Sequence, residues 1–243
     1  MNNYLIVIPA RYKSKRFPGK PLIDIFGKTM IERVYEKCRG ATSEKNIIIA
    51  TDSDKIIKHC ISKKMNYIKT SSKCLTGTDR VAEVAKKIKR TFYINVQGDE
   101  PLIKSSDIKK IIKCALKEPN KIFNAMCSIK NKEDFYNLNI PKVVTSNESN
   151  LIYISRAAIP SSKKKFFTPS KKQVCIYSFP RNALKDFTKN KKTKNEIIED
   201  IEILRFLDLG YIVRMLNVSN SSVAIDTPLD LIKVKKILKN ETN

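Results

Sequence analysis

The sequence contains only one histidine, His59, and only six glycines among its 243 residues. A single histidine excludes zinc sites built from several imidazoles and argues against most histidine-based catalytic triads. None of the glycines falls at the spacing of a Walker A loop or of a GxGxxG turn. The two best-known glycine-rich phosphate-binding loops are therefore excluded.

Long apolar runs and closely spaced cysteine pairs are also missing. No run approaches the roughly 18–20 apolar residues that a membrane span needs. The six cysteines include no CxxC pair, and a chain of this size does not depend on disulfides, so we expect free thiols in a reducing cytosol. The first ten residues form an apolar stretch without a basic lead-in, which predicts a buried strand rather than a signal peptide. These features predict a cytoplasmic protein with no membrane segment.

Acidic residues are scarce relative to basic ones, because 48 Lys and Arg stand against 24 Asp and Glu, a formal charge of +24. Such a charge is typical of nucleic-acid-binding proteins. The lysines are spread along the whole chain, however, and Asn and Ile are also frequent, which indicates a general compositional bias. Basic clusters occur at Lys163–Lys165, Lys171–Lys172 and Lys189–Lys194, where solvated loops are favoured over a binding surface. We therefore predict no nucleic-acid partner.

The first half of the chain alternates between buried strands and amphipathic helices. This alternation predicts an α/β fold with a doubly wound, mostly parallel, nucleotide-binding sheet. Continuous apolar runs predict strands at Tyr4–Pro9, Asn46–Ala50 and Thr91–Val96, and helical spacing covers Met30–Arg39, Lys55–Lys63, Gly77–Lys89 and Ser106–Leu116.

The second half carries shorter β-like segments separated by turns and basic loops. We predict a smaller, mixed β-rich insertion or subdomain over residues 124–215, while 1–123 and 216–243 form the nucleotide-binding core of one domain, 1–243. The predicted strands are Asn124–Ser128, Lys142–Thr145, Leu151–Ser155, Val174–Phe179 and Tyr211–Val218; a helix at Asn195–Leu209 is followed by Gly210, a residue that favours a helix C-terminus, and Leu229–Leu238 is a closing helix.

The loop after the first predicted strand, Pro9–Pro21, is strongly basic and includes Arg11, Arg16 and Lys20. Open parallel sheets bind ligands beyond the carboxyl ends of their strands. Arginine offers forked hydrogen bonds and lysine a mobile charge, so such a loop suits a polyphosphate. A basic surface loop with no ligand remains the alternative.

Two aspartates can reach the same edge of the sheet. Asp99 follows the predicted strand Thr91–Val96, and Asp226 follows the apolar segment Ser222–Ile225. Two carboxylates beside a phosphate loop suit Mg²⁺, which combines a few carboxylates with water and phosphate oxygens. The alternatives are a turn residue for Asp99 and a helix N-cap for Asp226, which begins an Asp-Thr-Pro sequence.

These motifs, taken in order along nearly the whole chain, resemble the 3-deoxy-manno-octulosonate (Kdo) cytidylyltransferase family. The resemblance also includes Glu196, Glu199, Glu202, Leu204 and Arg205 in the family's spacing. The matching segments are Ile8–Tyr12 with Ser14, Arg16 and Pro18–Leu22, Ala50–Asp52, Gly77–Glu83, Asn95–Pro101, Lys142–Val144, Ser155–Ala157, Ile159–Pro160 and Asp226–Pro228.

The resemblance implies that CTP and a 3-deoxy ulosonic acid, Kdo foremost, react to give a CMP-sugar and pyrophosphate for surface glycan synthesis. It places Asp99 and Asp226 on Mg²⁺ and gives catalytic roles to Arg11, Lys20 and Asp99. Arg11, Arg16, Lys20, Thr76, Gly77, Thr78 and Arg80 would bind the nucleotide, and Gln97, Arg156, Gln173, Tyr177, Glu196 and Glu199 the sugar acid. Plainer roles are a surface ion pair for Arg156 and a solvated helix face for Glu196 and Glu199.

One stretch departs from the family pattern. Where the family usually has a histidine followed by small glycines, this chain has Gln173, Cys175 and Ser178. Glutamine still donates and accepts hydrogen bonds, but the shape near the sugar changes. Transfer to a related amino-ulosonic or nonulosonic acid is therefore the alternative. The family also implies a homodimer formed through the β-rich region, where Phe166, Phe167 and Ile176 are predicted to be exposed.

Overall fold

The computed structural model describes residues 3–13, 17–163, 167, 169–220 and 222–242. Most of its strands join one nine-stranded sheet. The strands are β1 (Tyr4–Ala10), β2 (Asp24–Ile25), β3 (Lys28–Thr29), β4 (Ile47–Thr51), β5 (Tyr67–Lys69), β6 (Phe92–Val96), β7 (Ile122–Ser128), β8 (Lys142–Thr145), β9 (Leu151–Ser155), β10 (Lys171–Pro180) and β11 (Val213–Asn217).

Helices cover both faces of this sheet, and the two large apolar clusters lie on its opposite sides. The helices are α1 (Met30–Arg39), α2 (Asp54–Ser62), α3 (Gly77–Lys87), α4 (Ser105–Lys117), α5 (Lys132–Tyr136), α6 (Arg181–Lys189), α7 (Lys194–Glu199), α8 (Ile203–Asp208) and α9 (Pro228–Thr242).

The strand order is β11-β7-β10-β6-β1-β4-β5. Strand β1 runs parallel to both β4 and β6, β4 to β5, and β7 to β11, whereas β10 runs antiparallel between β6 and β7. Strands β8 and β9 form an antiparallel pair attached to β10, and β2 and β3 form a separate hairpin. The predicted α/β class with a mostly parallel sheet and a small mixed β extension is confirmed.

The central strands read as continuous apolar runs because helices cover both of their faces. Every residue of β1 and of β6 is buried. On one side the sheet packs against α1 and α4 through side chains such as Val34 and Ile111. On the other side it packs against α3 and α6, through Val81 and Leu184. This arrangement leaves the strand ends at the carboxyl edge free to carry polar loops.

The predicted helix over Asn195–Leu209 is wrong in one respect, because the structure divides it into α7 and α8. Asp200 adopts a left-handed conformation with φ of 51° and breaks the helix. Ile198 consequently turns outward and is 69% exposed, while Ile201 is buried. Gly210 follows α8 with φ of 82°, as a C-terminal glycine should.

The β-rich half contributes directly to the central sheet. Strands β7, β10 and β11 extend it beyond β6. Strand β10 begins at Lys171, earlier than predicted, so Lys171–Lys172 lies in a strand and not in a solvated loop. The division into 1–123 with 216–243 and 124–215 stays a prediction. The short elements β2, β3, β5, α5 and α6 were not predicted from the sequence.

Within the described part of the chain, no helix is long and apolar enough to cross a membrane. All six cysteines are free thiols. Burial raises the pKa of Cys38, Cys60 and Cys127, which keeps these thiols protonated and unreactive.

Candidate active site

Three side chains that are far apart in the sequence meet at the carboxyl edge of the sheet. The Lys20 ammonium Nζ lies 2.7 Å from Asp99 Oδ2 and 3.2 Å from Asp226 Oδ1. Both carboxylates are partly accessible, with 28% and 29% of the side chain exposed, whereas Lys20 is 13% exposed. A shielded cation therefore sits between two anions that a ligand can reach.

Backbone contacts fix the two aspartates relative to each other. Gly98 lies so close to the end of β1 that an added Cβ would stand 3.0 Å from the Pro9 carbonyl oxygen. This lets the loop after β6 cross over β1. The Ile225 amide then donates to the Asp99 carbonyl oxygen at 2.9 Å, which brings Asp226 to the same edge.

The electrostatics of this triad favour a charged lysine. Burial alone would lower the pKa of Lys20, but the carboxylates of Asp99 and Asp226 outweigh burial and raise it above its usual value. Lys20 is therefore protonated at neutral pH. Its positive charge offsets the repulsion between the two aspartates.

The two carboxylates fit a Mg²⁺ ion whose coordination is completed by the bound nucleotide. Magnesium usually takes one or two carboxylates and completes its octahedron with water and phosphate oxygens. Asp99 and Asp226 supply hard oxygens around a point where the structure already places a cation, the Lys20 ammonium. No cluster of three or more acidic, histidine or cysteine ligands occurs among the described residues. A nucleotide would therefore have to contribute to the coordination.

The basic loop is closed at its base. The Gly19 amide donates to the Tyr12 carbonyl oxygen at 3.0 Å, and Gly19 has φ of 74°, which glycine adopts without strain. Arg11 donates through Nη2 to the carbonyl oxygens of Cys74 and Leu75, at 2.5 and 3.3 Å. Arg11 thus lies against the segment that leads into α3. Arg16 lies outside the described residues.

The N-terminus of α3 faces the same region. Thr76 and Asp79 form a reciprocal capping box. Gln97 lies directly beside this helix start. A Cβ added to Gly77 would stand only 2.7 Å from Gln97 Nε2. The structure therefore brings Gln97 beside Thr76, Gly77 and Thr78. Their assigned roles in nucleotide and sugar binding stay predictions.

Glu202 occupies the amides at this helix start. Its carboxylate accepts hydrogen bonds from the Gly77 amide at 3.2 Å and from the Thr78 amide at 2.8 Å. Burial raises the pKa of Glu202 against the effect of these donors. The carboxylate therefore holds the segment between α7 and α8, residues 200–202, against the start of α3. The motif spacing alone could not predict this role.

The structure does not bring Arg80 to the ligand-accessible edge. Its side chain is buried, and Nη2 lies 3.3 Å from Asp52 Oδ1 while Nη1 donates to the Thr70 hydroxyl. Arg80 thus links α3 to the ends of β4 and β5. The predicted direct contact with a nucleotide is corrected to a positioning role.

Arg156 and Glu199 form a compact arrangement at the end of β9. Glu199 accepts from the Ser155 hydroxyl at 2.5 Å and from the Arg156 amide at 2.9 Å. The Arg156 guanidinium donates to carbonyl oxygens at the C-terminus of α7 and in the loop before β8, those of Glu199, Asp200 and Leu138. A cation is well placed at a helix C-terminus.

Arg156 keeps donors for a ligand. A guanidinium has five N–H groups, and the observed bonds leave one N–H on each terminal nitrogen.

The fully buried Lys142 lies beneath Arg156. Its ammonium donates to the Asn137 carbonyl oxygen at 2.9 Å and also to the Arg156 carbonyl oxygen. Burial and the nearby Arg156 charge lower the pKa of Lys142 to about 8. Lys142 therefore supports the Arg156 backbone from beneath.

Glu196 is not available to a sugar. Only 1% of its side chain is exposed, and both oxygens pair with Arg205, at 2.6 Å from Nε and 2.6 Å from Nη2. The Arg205 guanidinium also stacks 3.6 Å from the centre of the Phe187 ring. The predicted role in substrate binding is corrected to a buried structural ion pair.

Gln173 and Tyr177 lie on β10, on either side of a β-bulge. Gln173 Nε2 donates to Asn124 Oδ1 at 2.8 Å, and Asn124 in turn bonds the Val174 and Ile176 carbonyl oxygens. Tyr177 is 8% exposed, and burial raises its pKa well above the ordinary value. A sugar contact of either residue stays a prediction.

Glu100, next to Asp99, was not predicted from the sequence. Its buried carboxylate accepts hydrogen bonds from the Cys175 amide at 3.1 Å and from the Ser222 hydroxyl. These bonds hold β10 and the Asp226 segment against the end of β6. An acidic residue beside another acidic residue in a turn gives no sequence signal for this role.

The comparisons with known proteins bear on this edge of the sheet. Residues 5–215 match the sequence model of the family described as "Cytidylyltransferase". The chain belongs to the cytidylyltransferase family. A 3-deoxy-manno-octulosonate cytidylyltransferase from Trichlorobacter lovleyi is 38% identical over 245 residues, covering 96% of this chain and 97% of the relative. A protein of the same name from Protochlamydia amoebophila is 34% identical over 240 residues, covering 96% and 93%.

A solved structure agrees with these relatives. A CMP:2-keto-3-deoxy-manno-octonic acid synthetase complexed with CTP superimposes with a TM-score of 0.92 at 32% identity, covering 99% of this chain and 100% of that one. The resemblance noted from the sequence motifs is therefore confirmed. It extends across both the carboxyl-edge aspartates and the β-rich half.

Proposed function

We propose that this cytidylyltransferase activates Kdo, transferring CMP from CTP to the sugar acid with release of pyrophosphate. The observation that carries the proposal is the meeting of Lys20, Asp99 and Asp226 at the carboxyl edge, next to the start of α3. The full-length relatives and the structural neighbour, which are named for Kdo and CTP, support this assignment.

The reaction is a displacement at phosphorus. The anomeric hydroxyl oxygen of the sugar acid bonds to the α-phosphorus of CTP, the bond from that phosphorus to the bridging oxygen breaks, and the hydroxyl proton is released. Such transfers depend on positioning and charge stabilisation more than on covalent chemistry by the protein. Mg²⁺ bound by Asp99 and Asp226 would supply charge neutralisation for the triphosphate.

Lys20 and Arg11 act on the phosphates in this proposal. Lys20 is held charged by the two aspartates and is a mobile donor, so it can turn from the carboxylates to a phosphate oxygen. Arg11 is exposed and anchored to the carbonyl oxygens before α3, with further N–H groups for a phosphate. Arg16 belongs to the same loop and is proposed as a third phosphate ligand.

The acceptor side is proposed around Arg156 and Glu199. Arg156 retains two N–H groups on its terminal nitrogens, and a guanidinium can pair with a carboxylate, the group shared by all ulosonic acids. Thr76, Gly77 and Thr78, beside Gln97, would lie along the nucleotide. We place Gln173 and Tyr177 near the variable part of the sugar, and Gln173 as the residue that affects which acid is preferred.

A pyrophosphate-release assay with CTP, Mg²⁺ and a panel of 3-deoxy ulosonic acids tests the proposal. The highest kcat/KM is expected with Kdo. A higher value with an amino-substituted or nine-carbon acid would assign the chain to that alternative substrate. The Gln173→His variant should change the ratio of kcat/KM between two acids by roughly 5- to 150-fold. An unchanged ratio would remove Gln173 from the sugar site.

We further propose that the enzyme is a cytoplasmic homodimer. The dimer surface expected from the sequence is not the one that the structure exposes. Ile176 is fully buried in β10, and Phe167 packs edge-on against Phe135 at 5.5 Å. Phe166 lies outside the described residues. Other apolar side chains of the β-rich half are exposed instead. They are Leu138, Ile152, Ile197, Ile198 and Ile212. Sedimentation equilibrium at micromolar concentration should give twice the mass of one chain, and a single-chain mass would contradict the dimer.

A further inference from the structure

A cavity lined mainly by polar and charged residues lies at the opposite edge of the sheet from the candidate active site. It has a volume of about 660 Å³, within the range of small-molecule sites. Its wall includes residues that immediately precede β1, β4 and β6, and the first residues of α6. We call it the basal pocket and define it by six of its lining residues: Asn3, Lys45, Lys89, Arg90, Arg181 and Asn182.

The basal pocket is remote from the candidate active site. Thr91, which also lines it, precedes β6, whereas Asp99 follows the same strand. At about 3.3 Å per residue, the strand and its flanking residues separate the two positions by roughly 20–25 Å. A ligand in the basal pocket could not also touch the Lys20–Asp99–Asp226 triad.

The charge of the pocket is one-sided. Four of its lining residues, Lys45, Lys89, Arg90 and Arg181, are cationic, and its described lining includes no carboxylate. The nearest acidic residue in sequence, Glu44, is engaged elsewhere by the Tyr35 hydroxyl at 3.0 Å and by Arg39 at 3.8 Å. Clustering of like charges destabilises the folded chain, and a bound anion would relieve it.

Both arginines retain unused donors. The Arg90 Nε is enclosed and has no hydrogen-bond partner, although Nη1 donates to the Lys89 carbonyl oxygen at 2.8 Å. The enclosed Nε cannot itself reach a ligand in the pocket, so the donors that Arg90 offers are the remaining N–H groups on Nη1 and Nη2. The exposed Arg181 side chain forms no hydrogen bond or ion pair with another described residue. The general lysine bias does not explain why two arginines line this pocket, because only ten of the 48 basic residues are arginines.

The start of α6 opens on the same pocket. Pro180 precedes the helix and has no side-chain group to cap it, and the first turn contains no acidic residue. Arg181 and Asn182 are the first two residues of α6 and line the pocket. The partial positive charge of the helix N-terminus therefore adds to that of the four side chains.

We propose that the basal pocket binds a small molecule that carries two or more phosphate groups. Four cations around one cavity exceed what a single phosphate group would use. The asparagines Asn3 and Asn182, which can both donate and accept, would contact an uncharged polar portion of the same molecule. The proposal is independent of the sugar specificity of the candidate active site.

Isothermal titration with inorganic tripolyphosphate, in 0.15 M salt and without divalent cations, tests the proposal. One equivalent should still bind to the Lys20→Met variant, in which the catalytic edge is impaired. The Arg90→Gln/Arg181→Gln double variant should lose this equivalent or bind it at least about tenfold more weakly. It should keep the turnover and the CTP KM of the wild type.

Two further variants make the result specific. Lys109→Gln/Lys236→Gln also removes two exposed positive charges, but outside the pocket, and should bind as the wild type does. Arg181→Glu places an acid in the first turn of α6, which favours the helix, so its loss of binding would not reflect unfolding.

Several results would overturn the proposal. One is a bound equivalent of tripolyphosphate that disappears in Lys20→Met and persists in both Arg90→Gln/Arg181→Gln and Arg181→Glu. Another is equal weakening in the Lys109→Gln/Lys236→Gln control, which would show only non-specific attraction. A third is binding of a single-stranded RNA through Arg90 and Arg181 with no saturable tripolyphosphate site, which would assign this surface to nucleic acid.

Discussion

The Ile225 amide donates a hydrogen bond of 2.9 Å to the carbonyl oxygen of Asp99. Together with the hydrogen bond from the Ser222 hydroxyl to the Glu100 carboxylate, this bond joins the loop after β6 to the segment before α9. It places Asp226 beside Asp99, with Lys20 between them. The geometry of the candidate metal site therefore depends on backbone pairing that is independent of the metal itself.

The two aspartates should be essential for turnover with Mg²⁺. Asp99→Asn and Asp226→Asn each replace a carboxylate with an amide, which binds the metal poorly and carries no charge. We expect kcat to fall by roughly 10²–10³ or more, corresponding to about 3–5 kcal/mol of barrier. Steady-state pyrophosphate release at saturating CTP and Mg²⁺ measures this loss.

The matched control is Asp54→Asn, at an aspartate that is 73% exposed and pairs with Lys69 at 2.8 Å. It should retain wild-type kcat. Turnover of Asp99→Asn close to that of the wild type would remove Asp99 from the metal site. A similar result for Asp226→Asn would leave it as a helix-start residue only.

Arg156 should control the acceptor rather than the nucleotide. Arg156→Lys keeps the positive charge but loses the planar pair of donors, so the KM for Kdo should rise at least tenfold while that for CTP stays nearly constant. The kinetic constants of the two substrates are measured separately. Equal increases in both KM values would indicate a general loss of structure at the α7 C-terminus instead.

Glu196 should affect stability and not substrate binding. Glu196→Gln leaves the buried Arg205 charge without its partner, which costs about 3–5 kcal/mol in comparable cases. Thermal or urea unfolding should show this loss, whereas the KM for Kdo of the folded enzyme should stay near the wild-type value. A raised KM for Kdo with unchanged stability would restore the role that the sequence predicted.

The N-terminus of α1 should lose stability in acid. Burial alone would raise the pKa of Glu32, but the Thr29 amide, Lys63 and His59 outweigh burial and lower the pKa to about 2. Because the folded pKa lies below the unfolded value, Glu32 stabilises the protein above about pH 4.5. That contribution declines as the pH falls toward 2.

Comparison of Tm for the wild type and Glu32→Gln between pH 6 and pH 3 tests this. The wild type should be more stable at pH 6, and the difference should shrink as the pH falls below about 4.5. A difference that stays constant over this range would mean that the charge of Glu32 contributes nothing.

The sequence predicted the features that follow from strand order. Asp99 follows a buried parallel strand and Lys20 lies in the loop after another, so both had to reach the carboxyl edge. The helix at Met30–Arg39 was predicted at the bounds it has in the structure, because its apolar spacing is regular. Family motifs then assigned chemistry to positions that the topology had already brought together.

Contacts set by a local break in the chain could not be predicted in this way. The left-handed residue Asp200 turns Glu199 toward Arg156 and Glu202 toward α3, while Glu196 pairs with Arg205. A regular helix would have given these glutamates similar surroundings. Arg80 was likewise misassigned, because a motif does not show that its partner, Asp52, lies at the end of a neighbouring strand.

The most direct test of the account is the identity of the product. Purified enzyme with CTP, Kdo and Mg²⁺ should form one CMP–Kdo phosphodiester for each pyrophosphate released, as measured by ³¹P NMR with mass spectrometry. Omission of CTP, Kdo or Mg²⁺ should abolish both signals. Pyrophosphate release that continues without Kdo, or an absence of CMP–Kdo when all three are present, would contradict the assignment of the Lys20–Asp99–Asp226 edge to cytidylyl transfer.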